Sequence, residues 1–385
     1  MKVLVTHCTR NTGLTAMRAL SRAGCEVRGA DDRQLPFGLK SRYATGAYAA
    51  LPREHAPEFA AAMFELLERV RPDVLIPLRG AQFACRNKAE ILQRTHALVP
   101  ELAVFQVLHD KSELLKLCAR LGVPAPRVLS PDQAVAQLGE NDTLPVVVKP
   151  SRDVGGGAGV SFVRDPLRLV PTQTEVARRY GKALLTEYIP GPTSNIRAVH
   201  LLFDNDTRLL AHFVLQKHRL WPTRVGATVA GISTHEPWLV TQILPIFQAL
   251  GWRGPADVEL KIDTRDGQAK ILEINPRFSG ILHFPIQCGV NFPLLYCRAA
   301  LGERLAETLQ PRYAAGVRYL AVPKWLRAVA AELWAPSASR WHVLRQAMAS
   351  DLRAPRVRSV HELADPAPVI GRALLALQGS RGARQ

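Results

Sequence analysis

The six cysteines, Cys8, Cys25, Cys85, Cys118, Cys288 and Cys297, include no Cys-x-x-Cys pair and no Cys/His set at metal-ligand spacing. A zinc ribbon and a dithiol redox centre are thereby excluded, and the thiols read as small buried hydrophobes. No stretch approaches the roughly 20 apolar residues that a spanning helix needs. The opening MKVLVTHC lacks the basic, apolar and small-residue order of a secretory leader, so a cytoplasmic location is the expectation. Aromatic residues make up only 6% of the chain, and acidic residues are few, 33 against 50 basic, for a formal charge of +17. The arginines are spread along the chain and form no stripe with interleaved aromatics, so a solvated basic surface is expected and not nucleic-acid binding. Lys324-Trp325-Leu326-Arg327 and the segment from Trp334 to Trp341 mix aromatic and basic residues. Such spacing on helices packs a core or an interface more often than it meets a membrane. Two nucleotide fingerprints are also missing. The turn after the first strand, His7-Cys8-Thr9-Arg10-Asn11-Thr12-Gly13, has no G-x-G-x-x-G, and no G-x-x-x-x-G-K-[ST] precedes a helix.

Hydrophobic residues at 47% and charged residues at 22% describe a globular chain, and 385 residues are enough for two or three packed units. The first part alternates apolar β-branched pieces at 2–6, 26–29 and 73–77 with helical spacing at 15–23 and 59–70. That pattern predicts a small open parallel sheet, an α/β unit over 1–105. A helix near 112–121 stops at Gly122 before Val123-Pro124-Ala125-Pro126. A second unit, α+β, is expected over 106–190 and a third, strand-rich α+β unit over 191–310; the remainder, 311–385, reads as mostly helical.

Three segments carry chemistry. In the first, Val146-Val147-Val148-Lys149 is a buried strand ending in a lysine, and Gly155, Gly156 and Gly157 follow. Glycines let backbone N–H groups approach phosphate oxygens, and an ammonium at the end of a buried strand is costly without an anion. The chain continues as a strand, GVSFV, so this loop is expected to cap a hairpin and lie over the phosphates as a lid. The second is a hairpin from Asp257 to Asp263 and from Gln268 to Asn275. A three-residue turn between Thr264 and Gln268 would set Glu259 opposite Glu273, with Asn275 on the same face. Facing carboxylates repel unless a cation stands between them, and two carboxylates with an amide suit Mg²⁺, or Mn²⁺, arriving with a nucleotide. Arg277 adds a fixed cation beside them. The third is Glu187-Tyr188-Ile189 before Pro190-Gly191, a strand end whose free backbone groups could read an adenine edge, or a plain interdomain crossing. Arg219 and Arg224 on the stretch after Gln216 suggest an anionic substrate.

Taken in this order, the segments resemble the ATP-grasp superfamily over about residues 105–301. The resemblance implies a pre-ATP-grasp open parallel sheet followed by an ATP-grasp fold of two α+β subdomains. It implies that Lys111, in the Asp110-Lys111 step, and Lys149 bind ATP phosphates beneath the lid, and that 187–189 hold adenine. Glu259, Glu273 and Asn275 would be the metal ligands, and Arg277 would stabilise the transferring phosphoryl group. Gly191-Pro192-Thr193-Ser194 lacks the acidic residue that family members often place on the ribose. The stretches 216–226 and 365–368 are similar to parts of carboxylate-amine ligases in the superfamily, and no lipoyl or biotinyl segment follows, so a biotin-dependent carboxylase is not expected. The function implied is ligation of a small carboxylate to an amine, or to a thiol, through an acylphosphate, with release of ADP and phosphate. Two alternatives stay open: a kinase of the same fold and a non-catalytic nucleotide-binding regulator. A homodimer is left open as well.

Overall fold

The computed structural model describes residues 1–8, 11–32, 41–49, 51–54, 56–78, 80–140, 144–152, 157–334, 340–352, 357–358, 365 and 367. Gly155 and Gly156 of the glycine run lie outside the described residues.

Apolar runs at β1 (Lys2–Thr6), β2 (Glu26–Asp31) and β4 (Val74–Ile76), with the short β3 (Gly46–Ala49), form a parallel sheet in the order β3-β2-β1-β4. Helices α1 (Asn11–Arg22) and α2 (Phe59–Val70) follow β1 and β3. Runs without alternation are what a sheet covered on both faces requires. Two short helices, α3 (Ala81–Arg86) and α4 (Lys88–Leu92), lead to α5 (Leu102–His109) and α6 (Lys111–Leu121). Asp110 caps α6 by accepting from the Ser112 backbone N–H at 2.9 Å, and Gly122 ends it in the left-handed region.

After α7 (Pro131–Glu140), strands β5 (Val146–Pro150), β6 (Ser161–Val163) and β7 (Ala183–Glu187) make a three-stranded antiparallel sheet, β6-β5-β7, with α8 (Pro166–Tyr180) between β6 and β7. This unit has its own core, in which Leu129, Val146, Val148, Leu169, Val176 and Leu185 pack together. The glycine-rich segment is thus the connection of an antiparallel hairpin.

The largest sheet gathers β8 (Ile196–Phe203), β9 (Leu209–Trp221), β10 (Ala227–Thr234), β11 (Gly254–Ile262), β12 (Ala269–Asn275), β13 (Arg318–Leu320) and β14 (Val357–Arg358). Their order is β12-β11-β8-β9-β10-β13-β14. On β8, Ala198 and Leu202 enter one apolar cluster while Val199, Leu201 and Phe203 enter another, the period-two division of a strand buried on both faces. Helices α9 (Pro237–Leu250), α10 (His283–Gln287) and α11 (Phe292–Ala300) accompany the sheet. The segment after 311, read as mostly helical, carries α12 (Val322–Leu333) and α13 (Arg340–Gln346) and also adds β13 and β14 to the sheet. Farther on, buried Asp365 accepts from Arg18 Nε at 2.9 Å and from Ser41 Oγ at 2.6 Å, tying that segment to the first sheet's unit.

One sequence expectation is corrected here. Arg219 of β9, read as a substrate residue, is 2% exposed. Its Nε donates to Asp351 Oδ2 at 2.8 Å and its Nη1 pairs with Glu332, while Trp325 Nε1 donates to the same Asp351 oxygen at 2.8 Å. The arginine is a buried tie between the sheet and the C-terminal helices. Breaking such a tie from one side leaves carboxylates without a counter-charge, so Arg219→Leu should cost about 3–5 kcal/mol in urea unfolding. Arg219→Leu with Asp351→Leu should recover part of that loss.

Candidate active site

A cavity of about 1270 Å³ opens between the three-stranded sheet and the large one, and it collects residues from every unit: Thr12, Lys111, Lys149, Glu187, Lys217, Glu273 and Lys324 are among its walls. Its most charged part is the β11–β12 hairpin. Glu259 pairs in register with Glu273, and Asp257 with Asn275. The turn that produces this differs from the expected one. Asp263 and Gln268 close a four-residue loop, with Gly267 at φ +74° and its N–H on the Asp263 carbonyl at 2.8 Å. The ladder runs from Ile262↔Ala269 to Leu260↔Ile271, and a bulge at Leu272 then shifts it by one residue. The bulge restores the Glu259–Glu273 pairing that the shorter turn would have given directly.

Cations answer the facing carboxylates. Lys111, the first residue of α6, places Nζ 3.1 Å from Glu273 Oε2, and Lys217 of β9 pairs with Glu259 Oε2. Lys149 Nζ lies 3.5 Å from the carbonyl of the bulged Leu272. Asn275 Nδ2 donates to Glu273 Oε1 at 3.3 Å, and Arg277 Nη2 donates to Asn275 Oδ1 at 3.1 Å. Burial raises the Glu259 carboxyl above the usual range, Lys217 opposes that rise, and Glu273 adds to it. Burial also lowers Lys149 to about 8, with repulsion from Lys111 in the same direction and Glu273 opposing. Both shifts mark groups whose charge is incompletely balanced by the protein.

Asp110 fixes Lys111 in place. It accepts from Ser112 Oγ at 2.6 Å and from Ser151 Oγ at 2.9 Å, while the Lys111 N–H donates to the Ser151 carbonyl at 2.7 Å. The end of β5 and the start of α6 are thus joined, and Lys149 and Lys111 enter the cavity together. Gly157, at φ +74°, packs against the β9–β10 connection so closely that a Cβ there would lie 2.1 Å from the Val225 carbonyl. No other residue type permits that approach.

The strand end at 187–189 lines the cavity. The Glu187 carboxylate itself is engaged, accepting from the Arg127 N–H at 3.0 Å and from Arg265 Nη2 at 3.1 Å. Tyr188 packs edge-on to Phe162 at 5.7 Å, and Lys261 Nζ stands 5.0 Å from its ring centroid. Arg224 is exposed at the cavity's edge, whereas Arg219 is absent from its walls. Sequence reasoning assigned no role to Asp257, Lys217 or His200. Asp257 is two residues before Glu259 on the same strand face and lines the cavity. Behind it, His200 Nε2 is 3.5 Å from Asp257 Oδ1, and burial lowers the imidazole's pKa. Lys217 could have been found as a lysine within the apolar run of β9, since a buried ammonium requires a partner.

An oxygen donor set of Glu259, Glu273 and Asn275 on adjacent strands fits a hard divalent cation, which prefers carboxylate and amide oxygens. The incomplete neutralisation of Glu259 agrees with that fit.

The comparisons match this architecture. Residues 182–323 match the family described as ATP-grasp in the biosynthetic pathway with Ter operon. The D-aspartate ligase of Enterococcus faecium is 22% identical over 229 residues, 55% of this chain and 54% of that protein. The N-terminal section of the carbamoyl phosphate synthase large chain of Methanopyrus kandleri is 22% identical over 313 residues, 77% of this chain and 54% of that protein. The chain therefore spans about half the length of these curated relatives. Among solved structures, the biotin carboxylase domain of Hydrogenobacter thermophilus 2-oxoglutarate carboxylase, in complex with MgADP, superposes with a TM-score of 0.63 at 19% identity. That match covers 82% of this chain and 73% of that one. The N5-carboxyaminoimidazole synthetase of Staphylococcus aureus, complexed with ADP, gives 0.61 at 15% identity, covering 80% and 78%. The fold is that of the ATP-grasp proteins.

Lys149 provides a test of the electrostatics without any ligand. Its ammonium destabilises the fold fully below pH 8, and the penalty fades as pH rises from about 8 toward the ordinary lysine value of 10.5. Lys149→Met should therefore stabilise the ligand-free protein at neutral pH, by on the order of 3 kcal/mol, and the gain should shrink across that window. Urea titrations at a series of pH values measure it; a gain that does not vary with pH would assign the lysine a different environment.

Proposed function

We propose that this chain is an ATP-dependent ligase that activates a carboxylate as an acylphosphate and passes the acyl group to an amine. The observation that carries the reading is the charge arrangement at one end of the cavity: the Glu259–Glu273 pair, with Lys111, Lys149 and Lys217 around it and Arg277 beside Asn275. Such a set matches the phosphates of a nucleotide with its divalent cation. The relatives' names, D-aspartate ligase and carbamoyl phosphate synthase, support a ligase.

On this reading Pro126, Val147, Phe162, Tyr188 and Ile189 receive the base between the two sheets, through the backbone of 187–189, since the Glu187 carboxylate is already engaged. Lys111 and Lys149 hold the phosphates, and phosphate oxygens restore the charge of Lys149 that burial depresses. Mg²⁺ would be held by Glu259, Glu273 and Asn275, where it would supply neutralisation of phosphate charge. A carboxylate oxygen of the acid attacks the terminal phosphorus, the bond to the bridging oxygen breaks, and ADP departs with the electron pair. Arg277 presents planar N–H donors where charge develops on the transferred group. The amine then attacks the acyl carbon, phosphate leaves with the carbon–oxygen pair, and the nitrogen gives up a proton. The activated acid needs shelter from water in the interval, a task for the Gly157 loop against Val225.

With a suitable acid, ATP and hydroxylamine in place of the amine, the protein should form a hydroxamate and an equal amount of ADP. Arg277→Ala should lower that rate by about 100-fold, the scale for losing one transition-state donor, with little change in ATP affinity. Formation of AMP and pyrophosphate would refute the mechanism, and a stable phosphorylated alcohol would replace it with a kinase.

A further inference from the structure

The cations on the cavity wall differ in how far the protein engages them. Lys111, Lys217 and Arg277 are committed to Glu273, Glu259 and Asn275. Lys324 and Arg224 are different: each lines the cavity, and no ion pair or hydrogen bond within the described residues engages either side chain. Lys324 comes from the stretch Lys324–Arg327 that sequence reasoning assigned to packing a core or an interface. It stands in the first turn of α12, a helix of 12 residues whose first turn has no acidic residue and whose preceding Ala321 has no side chain to cap it. Ala321 and Pro323 line the cavity beside it. The helix therefore turns its amide end, with the N–H groups of Val322 and Lys324, toward the cavity.

A second feature of the same end points to a ligand independently. Tyr319 on β13 is 4% exposed and lines the cavity, its ring packed between His283 at 5.3 Å and Phe284 at 5.4 Å. Its hydroxyl has no hydrogen-bond partner among the described residues. The ring is buried while its oxygen is open to the cavity, where a ligand can accept from it. Burial alone pushes its pKa upward, so it stays a neutral donor.

We propose that the acid substrate carries a second anionic group, a carboxylate or a phosphate, bound by Lys324, the α12 amide end and the Tyr319 hydroxyl, with Arg224 near its path from the phosphates. This rests on the ligase reading. The acid must approach as an anion beside the nucleotide's terminal phosphate, where it is repelled, and a cationic site at the acid's far end offsets that repulsion. The sheet sets the reach. Lys217 is on β9, the α12 start follows β13, and β10 lies between, with the Ala321 N–H on the Val229 carbonyl at 2.8 Å. Two strand spacings are roughly 10 Å, which is the separation expected between the reacting carboxylate and the second anion.

Calorimetry in the presence of MgADP tests this with three sets of acids: dicarboxylates long enough to span roughly 10 Å, phosphono-carboxylates of the same length, and monocarboxylates. At least one dianionic set should bind about tenfold more tightly than the monoacids, the gain of one charge-assisted contact. Lys324→Gln should abolish that preference, Tyr319→Phe should reduce it, and Lys324→Arg should keep it, while monoacid affinity stays unchanged in all three. Whichever dianionic set prevails identifies the second group as carboxylate or phosphate. Equal affinity for mono- and dianionic acids, a preference untouched by Lys324→Gln, or binding of anionic amines in place of the acids would overturn the proposal. Acid-dependent ADP release separates the two readings. Dianions that bind through Lys324 without promoting ADP release would refute the ligase and leave the anion site standing. Monoacids that release ADP as well as dianions, unaffected by Lys324→Gln, would do the reverse.

Discussion

Glu259 and Glu273 face one another across β11 and β12, and like charges at that separation are tolerated only if cations share the space. The surrounding architecture supplies them from three directions. Helix α6 brings Lys111, the three-stranded sheet brings Lys149, and β9 brings Lys217. None of these elements is adjacent to the hairpin in sequence. The mutual position of the small sheet and the large one is thus bound up with one electrostatic condition, and Asp110 reinforces it by joining the start of α6 to the end of β5. The balance remains incomplete, as the depressed Lys149 and the raised Glu259 both show.

The local patterns of the sequence translated well into structure where one strand or one helix decided the matter. The βαβ opening, the hairpin around the glycine run and the helix stop at Gly122 all follow from short-range spacing. The Glu259–Glu273 register was reached through a turn one residue too short, and a bulge at Leu272 compensated. A bulge has no dependable sequence signature, yet this one also takes Leu272 out of the regular pairing, beside Lys149. What could not be read were pairings over long separations. Arg219 looks like any arginine on a polar stretch until Glu332 and Asp351 are brought to it by the C-terminal helices. The burial of Tyr319 and the entry of Lys324 into the cavity likewise require that β13 join the sheet. Three residues of strand followed directly by a helix give almost no period to detect.

That short strand changes the standing of the segment after 311. A helical appendage could be shed without consequence for a site built elsewhere. Here the same segment covers the open edge of β10, completes the wall of the cavity and delivers both carboxylates that neutralise Arg219. Burial of Arg219 and Asp351 together is costly, and it is tolerated because they pair with each other while half-buried Glu332 adds a second partner. Asp365 repeats the device at the first sheet's unit, where Arg18 is 2% exposed.

The order of strands in the large sheet has one further consequence. The hairpin with the facing carboxylates forms one margin of that sheet, and β13 with the start of α12 lies toward the other. Strands in a sheet are held at a nearly fixed separation by their hydrogen bonds, so the interval between the two regions is measured in whole strands and resists gradual adjustment. A mutation can alter the groups at either margin but cannot stretch the floor between them. Divergence among proteins sharing this floor would then proceed by exchanging what is mounted at the far margin, with the facing-carboxylate end kept intact.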